Sequence, residues 1–403
     1  MKNSAASSLS LVVNHCAGMI DMVALPVWVG AVLIGSFEMA PREAGLLVTL
    51  FLTGQVVASL SLAPRFGALP VRFTASCGLA IAALAFFGMY AGPDYTQMML
   101  LHLIGGLGAG AALSVTHGLM GKTANPHRLF AIAGVSIGVT GIAILGAGPA
   151  AAEHLGGATV FLIFGGFMCV ALVLTLLFMK PVLADKSSES VDTENAPRAP
   201  LPTAVWFTMV GLGTMALSNS MVFSFVERIG MDRDYGLSAV TTVLIAVGFF
   251  NLLPPIVAAI FERKFPVQRV LLAGPLVQLG LVLLLTLPDS LATYAVAAAL
   301  WIGVMLFTHT FVFGLLARLD SSGRAVASTP AMLMIGSAIG PLAGGALVQL
   351  FGYQSLAVAV LITTAGAVFC FWQVRQQLRA QQQDDLILTS EDIGKSAVNG
   401  SAL

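Results

Sequence analysis

The sequence predicts an all-α membrane protein of twelve transmembrane helices in two pseudo-symmetric six-helix halves, and three observations carry that prediction. First, 57% of the 403 residues are hydrophobic and only 9% are charged, against roughly 25% charged in an ordinary soluble domain. A water-soluble fold of this size could not cover its surface. Second, the apolar runs are long: TVFLIFGGFMCVALVLTLLFM (159–179) carries no charge, enough to cross a hydrocarbon core of about 30 Å at ~1.5 Å per residue. Third, the 19 Lys and Arg are sorted between the two sets of loops.

Cutting at charged and Pro/Gly-rich punctuation places the first six spans at 9–34, 43–63, 72–91, 96–118, 129–150 and 158–179. The second six fall at 203–226, 238–261, 269–286, 292–317, 325–350 and 354–374. The opening stretch is read as a retained span and not a cleaved leader, because Asn14, His15 and Asp21 interrupt its apolar run and no A-x-A-like site follows. With an even number of spans both termini share one side, which then holds 16 Lys and Arg against Arg42, Arg228 and Arg233 on the other. The positive-inside rule makes that side cytoplasmic, in a cell (inner) membrane. Residues 180–202, KPVLADKSSESVDTENAPRAPLP, read as a flexible cytoplasmic linker between the halves 1–179 and 203–375. The tail 376–403 extends the last helix briefly and is then expected to be disordered. At the external end of span seven, Glu227, Arg228, Asp232, Arg233 and Asp234 read as a solvated loop, with an external gate as the alternative.

The halves repeat. Lys122 and Arg128 recur as Arg318 and Arg324 at an offset of 196, which also carries Gly148 onto Gly344 and Gly156 onto Gly352; Arg72 maps to Arg269 at 197. Such a period is expected of parallel repeats about an axis normal to the membrane. The zero net charge gives no basis for nucleic-acid binding, and Cys16, Cys77, Cys169 and Cys370 lie in apolar runs without metal or disulfide spacing. No cofactor or metal is expected, and the chain reads as a monomer.

Gly106, Gly108 and Ala111 spell G-x-G-x-x-A, the fingerprint of a dinucleotide loop. A phosphate cradle needs a preceding strand and a free helix N-terminus. These glycines sit about ten residues into a span starting near Thr96, where the N–H groups are bonded within the helix, so they predict close helix packing instead.

Three stretches resemble the major facilitator superfamily, over residues 9–375. His102-Leu-Ile-Gly105-Gly106-Leu-Gly108-Ala109 is similar to the family's R-x-x-Q-G-x-G-A-A in span four, with His in the Arg position. Leu62-Ala63-Pro64-Arg65-Phe66-Gly67 resembles G-x-L-A-D-R-x-G-R between spans two and three, with Pro64 in place of the acid; the second-half loop Phe261-Glu262-Arg263-Lys264 keeps an acid beside an arginine. Gly336-Ser-Ala-Ile-Gly340-Pro341-Leu-Ala-Gly344-Gly345 has the G-x-x-x-G-P-x-x-G-G form that exchangers of the family show in span five, but lies in span eleven; span five has only Gly148-Pro149. The resemblance implies a secondary transporter alternating access to a midplane site, with Arg65, Gly67, Glu262 and Arg263 in cytoplasmic latches.

An ionisable residue deep in the bilayer costs at least ~2.5 kcal/mol and is a functional candidate by default. Asp21, near the middle of span one, shares a face with Asn14, Gly18, Leu25 and Trp28. Burial disfavours its charge while a nearby cation or donor favours it, so occupancy by substrate can decide whether a proton is held. The alternative is an acid that only fixes helix packing. Asp21-Met22-Val-Ala-Leu-Pro26 also resembles the D-M-x-x-P pattern of proton-driven drug exporters, with one extra residue. His102 is either a proton relay with Asp21 or a neutral ring bonded to a backbone carbonyl. His117, near the cytoplasmic end, reads as interfacial. His309, between Thr308 and Thr310, is a cavity candidate; Gln55, Asn219, Asn251 and Trp301 are candidate substrate contacts, each also readable as a packing residue. One cavity acid and no cavity Lys or Arg favour a neutral, lipophilic or cationic solute over a multiply charged anion. The leading expectation is efflux by proton antiport; the alternative is proton-coupled uptake of a small organic solute such as a monocarboxylate. No nucleophile constellation or metal cluster suggests an enzyme.

Overall fold

A computed structural model describes residues 5–179, 201–261, 264–320 and 324–400, and among them the secondary structure is entirely helical. In chain order the elements are α1 (Ala5–Gly18), α2 (Ile20–Leu25) running into a π-helical segment (Pro26–Ser36), α3 (Pro41–Leu62), a 3-10 turn (Ala63–Ala68), α4 (Val71–Tyr90) and α5 (Tyr95–Gly121). There follow α6 (Pro126–Leu155), α7 (Ala158–Phe178), α8 (Thr203–Phe223), α9 (Val226–Asp232), α10 (Leu237–Phe250), α11 (Pro254–Phe261), α12 (Val267–Thr286), α13 (Leu291–Leu319), α14 (Arg324–Phe351) and α15 (Gln354–Gly400). Among the described residues, ten helices are long and apolar enough to cross a membrane, α8 and α9 counted together. The pair Ala5–Gly18 and Ile20–Ser36 is bent by 41° and would add one span. Where a twelfth was expected at 238–261 stands the shorter helix Leu237–Phe250, followed after the turn at Asn251–Leu253 by α11. Pro254 and Pro255 explain the interruption, since neither supplies an N–H to continue the ladder.

The first span is broken for a related reason. Met19 takes φ −115° and ψ 16°, outside the helical region. Pro26 then has no N–H for the carbonyl four residues back, and pairing shifts to the fifth, as in Phe37 N–H to Val32 O at 2.9 Å. Gly156, which ends α6, and Gly352, which follows α14, have φ of 86° and 74°. They are the pair related by 196 residues, so the sequence repeat marks equivalent left-handed helix stops. The α15 helix continues past residue 375 to Gly400.

Large apolar side chains on the outer helix faces, among them Leu84, Leu177, Ile362 and Phe73, are more than half exposed; facing lipid they need no further cover. The core gathers around Trp28, which touches Phe51, Phe86, Phe161, Phe164 and His102 at ring-centroid distances of 5.0–6.2 Å. At the loop end carrying Arg42, Arg228 and Arg233, the Arg-poor end, helices before residue 180 meet those after 200. Thr49 Oγ1 of α3 donates to Ala338 O of α14 at 2.7 Å and accepts from Leu342 N–H at 3.2 Å. Arg42 N–H donates to Gln349 Oε1 at 3.2 Å.

Candidate functional site

The glycines of α5 position the site. A methyl on Gly106 would overlap the Phe51 carbonyl, and one on Gly110 would come within 2.6 Å of the Gln55 backbone. Gly108 faces α4, where a methyl would meet Gly78 O at 2.5 Å. The fingerprint is thus a two-sided packing surface in the middle of α5, as expected. It presses the backbone of α3 close enough to aim Phe51 and Gln55, one turn apart, at the broken first span.

Gln55 reaches that break. Its Nε2 donates to Gly18 O at 2.8 Å and to Asp21 Oδ1 at 3.0 Å. Asp21 is 1% exposed and lies in the first turn of α2, where the Met22 N–H donates to Met19 O at 3.2 Å and the backbone amides of Asp21 and Met22 also stand close to its carboxylate. No cation is paired with it among the described residues. The site therefore stabilises a carboxylate with amide donors alone, leaving a cation or proton to be supplied from outside.

His102 of α5 is fully buried, its ring 5.5 Å from that of Trp28, which stands seven residues after Asp21 in the first span. Its Nδ1 lies 2.7 Å from Met98 O. A carbonyl only accepts, so Nδ1 carries the proton and a neutral ring presents Nε2 as an acceptor. That Nε2 and the Trp28 Nε1–H are both buried without a protein partner. Beside α2, an apolar cavity of about 560 Å³, open to the outer surface at the half-exposed Val139, Ile163 and Val170, runs between Ile20, Thr140 and Ala143 of α6, and Phe164 and Phe167 of α7.

The other predicted contacts scatter. Asn14 exchanges hydrogen bonds with Thr175 of α7. Trp301 Nε1–H donates to the Asn219 carbonyl at 3.1 Å, while Asn219 Oδ1 is buried without a donor. Asn251 caps α10, its Oδ1 also unpartnered. His309 lies edge-on to Phe313 at 4.3 Å with Nε2 unpartnered. Among the packing residues, Gly148 abuts Val27, Pro149 sits within α6, and Gly336, Gly340 and Gly344 receive the backbone and side chains of α8 between Gly213 and Met221, with the Phe225 ring beyond it. Pro341 O meets Gly45 of α3. Arg65 donates to Ser61 O at 2.7 Å in the 3-10 turn that contains Gly67. Glu262 and Arg263, like linker residues 180–200, lie outside the described residues.

Two features were not anticipated. His15 Nδ1 and His117 Nε2 lie 2.9 Å apart, so His117 is half-buried against α1 and not simply interfacial. Glu227, read as part of a solvated loop, is 3% exposed. Its helix α9 continues the span of α8 after a turn at Ser224 and Phe225 that the apolar pattern did not mark.

A family model described as Major Facilitator Superfamily matches residues 10–322. The "Multi-drug resistance efflux pump PmrA" of two Streptococcus pneumoniae strains is 24% identical over 384 residues, covering 89% of this chain and 92% of that protein. The fold is similar to that of nucleoside transporter NupG, with TM-score 0.68, 11% identity, and 92% and 99% of the two chains covered. It is similar also to a bacterial homolog of the human lysosomal transporter Spinster, with TM-score 0.70, 14% identity, and 93% and 97% covered.

Proposed function

Because this chain belongs to the major facilitator superfamily, we propose that it is a proton-coupled exporter of neutral, lipophilic or cationic small molecules, working by alternating access. Its family makes it a multi-pass membrane transporter; the finer reading is ours. The twelve spans divide into a first half, 1–179, and a second, 203–375, with the interrupted pairs α1–α2 and α10–α11 each counted as one span. Both termini face the cytoplasm, the side with 16 of the 19 Lys and Arg.

The observation that carries the proposal is Asp21, a buried carboxylate held by Gln55 and backbone donors with no cationic partner among the described residues. Either a proton or the positive charge of a substrate satisfies it, and the two compete for one site. Binding of substrate from the cytoplasmic side releases the proton inward; after the halves rock, a proton from outside displaces the substrate. Gln55 steadies the acid in both states, and His102 with Trp28 presents an acceptor and a donor to a polar group of the solute. The apolar cavity beside Ile20 suits a lipophilic body, and the similarity to an efflux pump agrees in direction.

The test is a screen of lipophilic cations in everted vesicles with a proton-flux dye. Wild-type protein should concentrate a substrate and release protons, while Asp21→Asn should lose concentrative transport at least tenfold and keep downhill exchange. An Asn variant that still concentrates substrate against its gradient sinks the coupling role. Growth phenotypes on toxic compounds against single carbon sources separate export from uptake of a small organic acid.

A further inference from the structure

At the Arg-poor end a second carboxyl group is built into the seam. Glu227 stands in the first turn of α9, and its side chain lies against Gly30 of the π-helical segment. A methyl on Gly30 would overlap Glu227 Oε2 and sit 3.2 Å from the Arg228 backbone nitrogen. The carboxyl fits only because position 30 has no side chain. Oε2 is buried and accepts no hydrogen bond, the one carboxylate oxygen in that condition among the described residues.

One neighbour, Arg228, keeps a buried donor that reaches no acceptor; the others are committed elsewhere. Arg228 Nη2 pairs with Asp232 Oδ1 at 2.6 Å, and its Nε is buried without an acceptor. Tyr353 O–H takes Asp232 Oδ2 at 2.6 Å, and Tyr294 O–H of α13 takes Val226 O at 2.8 Å. Arg233 spends its donors on the carbonyls of Leu285, Thr286 and Pro288, and Tyr235 donates to Asp289. The π-helical segment offers only Gly30 and its apolar neighbours. An ionised carboxylate left with an empty buried oxygen is far costlier than a neutral acid in the same place.

We propose that Glu227 is a second proton-binding residue of the transport cycle, which takes a proton from water at the Arg-poor end while α9 and the π-helical segment are apart and seats on Gly30 only when neutral. The proton comes from bulk solvent, adds to the carboxylate as O–H, and returns to solvent at the same end when the seam reopens. Closure of that end is thereby tied to proton occupancy on the second half of the chain, separately from Asp21 on the first. The inference rests on the alternating-access reading but not on the substrate or direction of transport.

The experiment reads conformation. Spin labels at Glu153→Cys on α6 and Leu291→Cys on α13, with the four native cysteines replaced by alanine, report separation across the seam by pulsed electron resonance in nanodiscs. Between about pH 5.5 and pH 8.5 the closed population should fall at least ~3-fold in the otherwise unaltered protein. In Glu227→Gln it should change by less than ~1.5-fold and stay closed. Asp21→Asn should retain the pH response, which separates this proposal from the coupling role of Asp21. Should Glu227→Gln not yield monodisperse protein, Gly30→Ala serves instead, because its methyl displaces the carboxyl and should hold the seam open at every pH. A response that survives Glu227→Gln, that vanishes in Asp21→Asn alone, that is unchanged in Gly30→Ala, or that follows sodium concentration instead of pH overturns the proposal.

Discussion

Gln55 is the residue on which the proposed coupling site turns, because one amide joins Asp21 to the carbonyl exposed by the break at Gly18. Replacing it by leucine keeps the bulk and removes both hydrogen bonds. A lost bond to a buried charged group is worth about 1.5–3 kcal/mol, so Gln55→Leu should lower thermal stability by several degrees and, on the proposed function, weaken proton release by substrate at least ~10-fold. Thermal shift and vesicle proton flux measure the two; a variant with unchanged flux would remove Gln55 from the site. Asp21 was legible in the sequence because an acid in an apolar run stands out alone. Its partner was one polar residue among several in span two, and no spacing within one helix tells which of them meets the first span. The same limit hid the His15–His117 contact, whose members are 102 positions apart, and Glu227, whose charged neighbours made it look solvated.

At the scale of the helix, the glycine pattern of α5 was readable as packing from the sequence, but its partners were not. Gly106 and Gly110 face α3 while Gly108 faces α4, so single methyl additions have unequal costs. Gly106→Ala should destabilise by about 1–3 kcal/mol, since backbone of α3 has nowhere to go. Gly280 in α12 has nothing within 4 Å of its would-be methyl, so Gly280→Ala should be neutral or stabilise by about 0.5–1 kcal/mol through helix propensity. Denaturation in detergent of the two variants beside the parent tests the contrast, and equal losses would mean that the close approach in α5 is not what limits stability. Helix boundaries followed apolar length well. The missed ones were breaks inside spans, at Met19 and after Phe223, where the residues remain apolar and the ladder fails for geometric reasons that hydropathy does not record.

For the molecule as a whole, the contacts that join the two parts of the chain define what must move if access alternates. Thr49 is hydrogen-bonded twice across the seam, and two glycines interlock with opposing prolines: Gly45 takes the Pro341 carbonyl, and Gly345 takes that of Pro41. The sequence repeat relates α14 to α6 and α3 to α10 and α11, since loop charges and glycines recur at 196 residues, but it carried no sign that α3 and α14 touch. Arg42 and Gln349 meet at the rim of this contact, and both positions are exposed. In a chain whose native cysteines are replaced, Arg42→Cys with Gln349→Cys should cross-link efficiently under mild oxidation and lose at least ~90% of concentrative transport, with reductant restoring it. Each single cysteine variant should transport normally and ignore oxidant. If the cross-linked protein transports at the full rate, the α3–α14 contact is a fixed hinge and the moving seam lies elsewhere, which would shift the gating role onto the α6–α10 contact at Gly138 and Gly248.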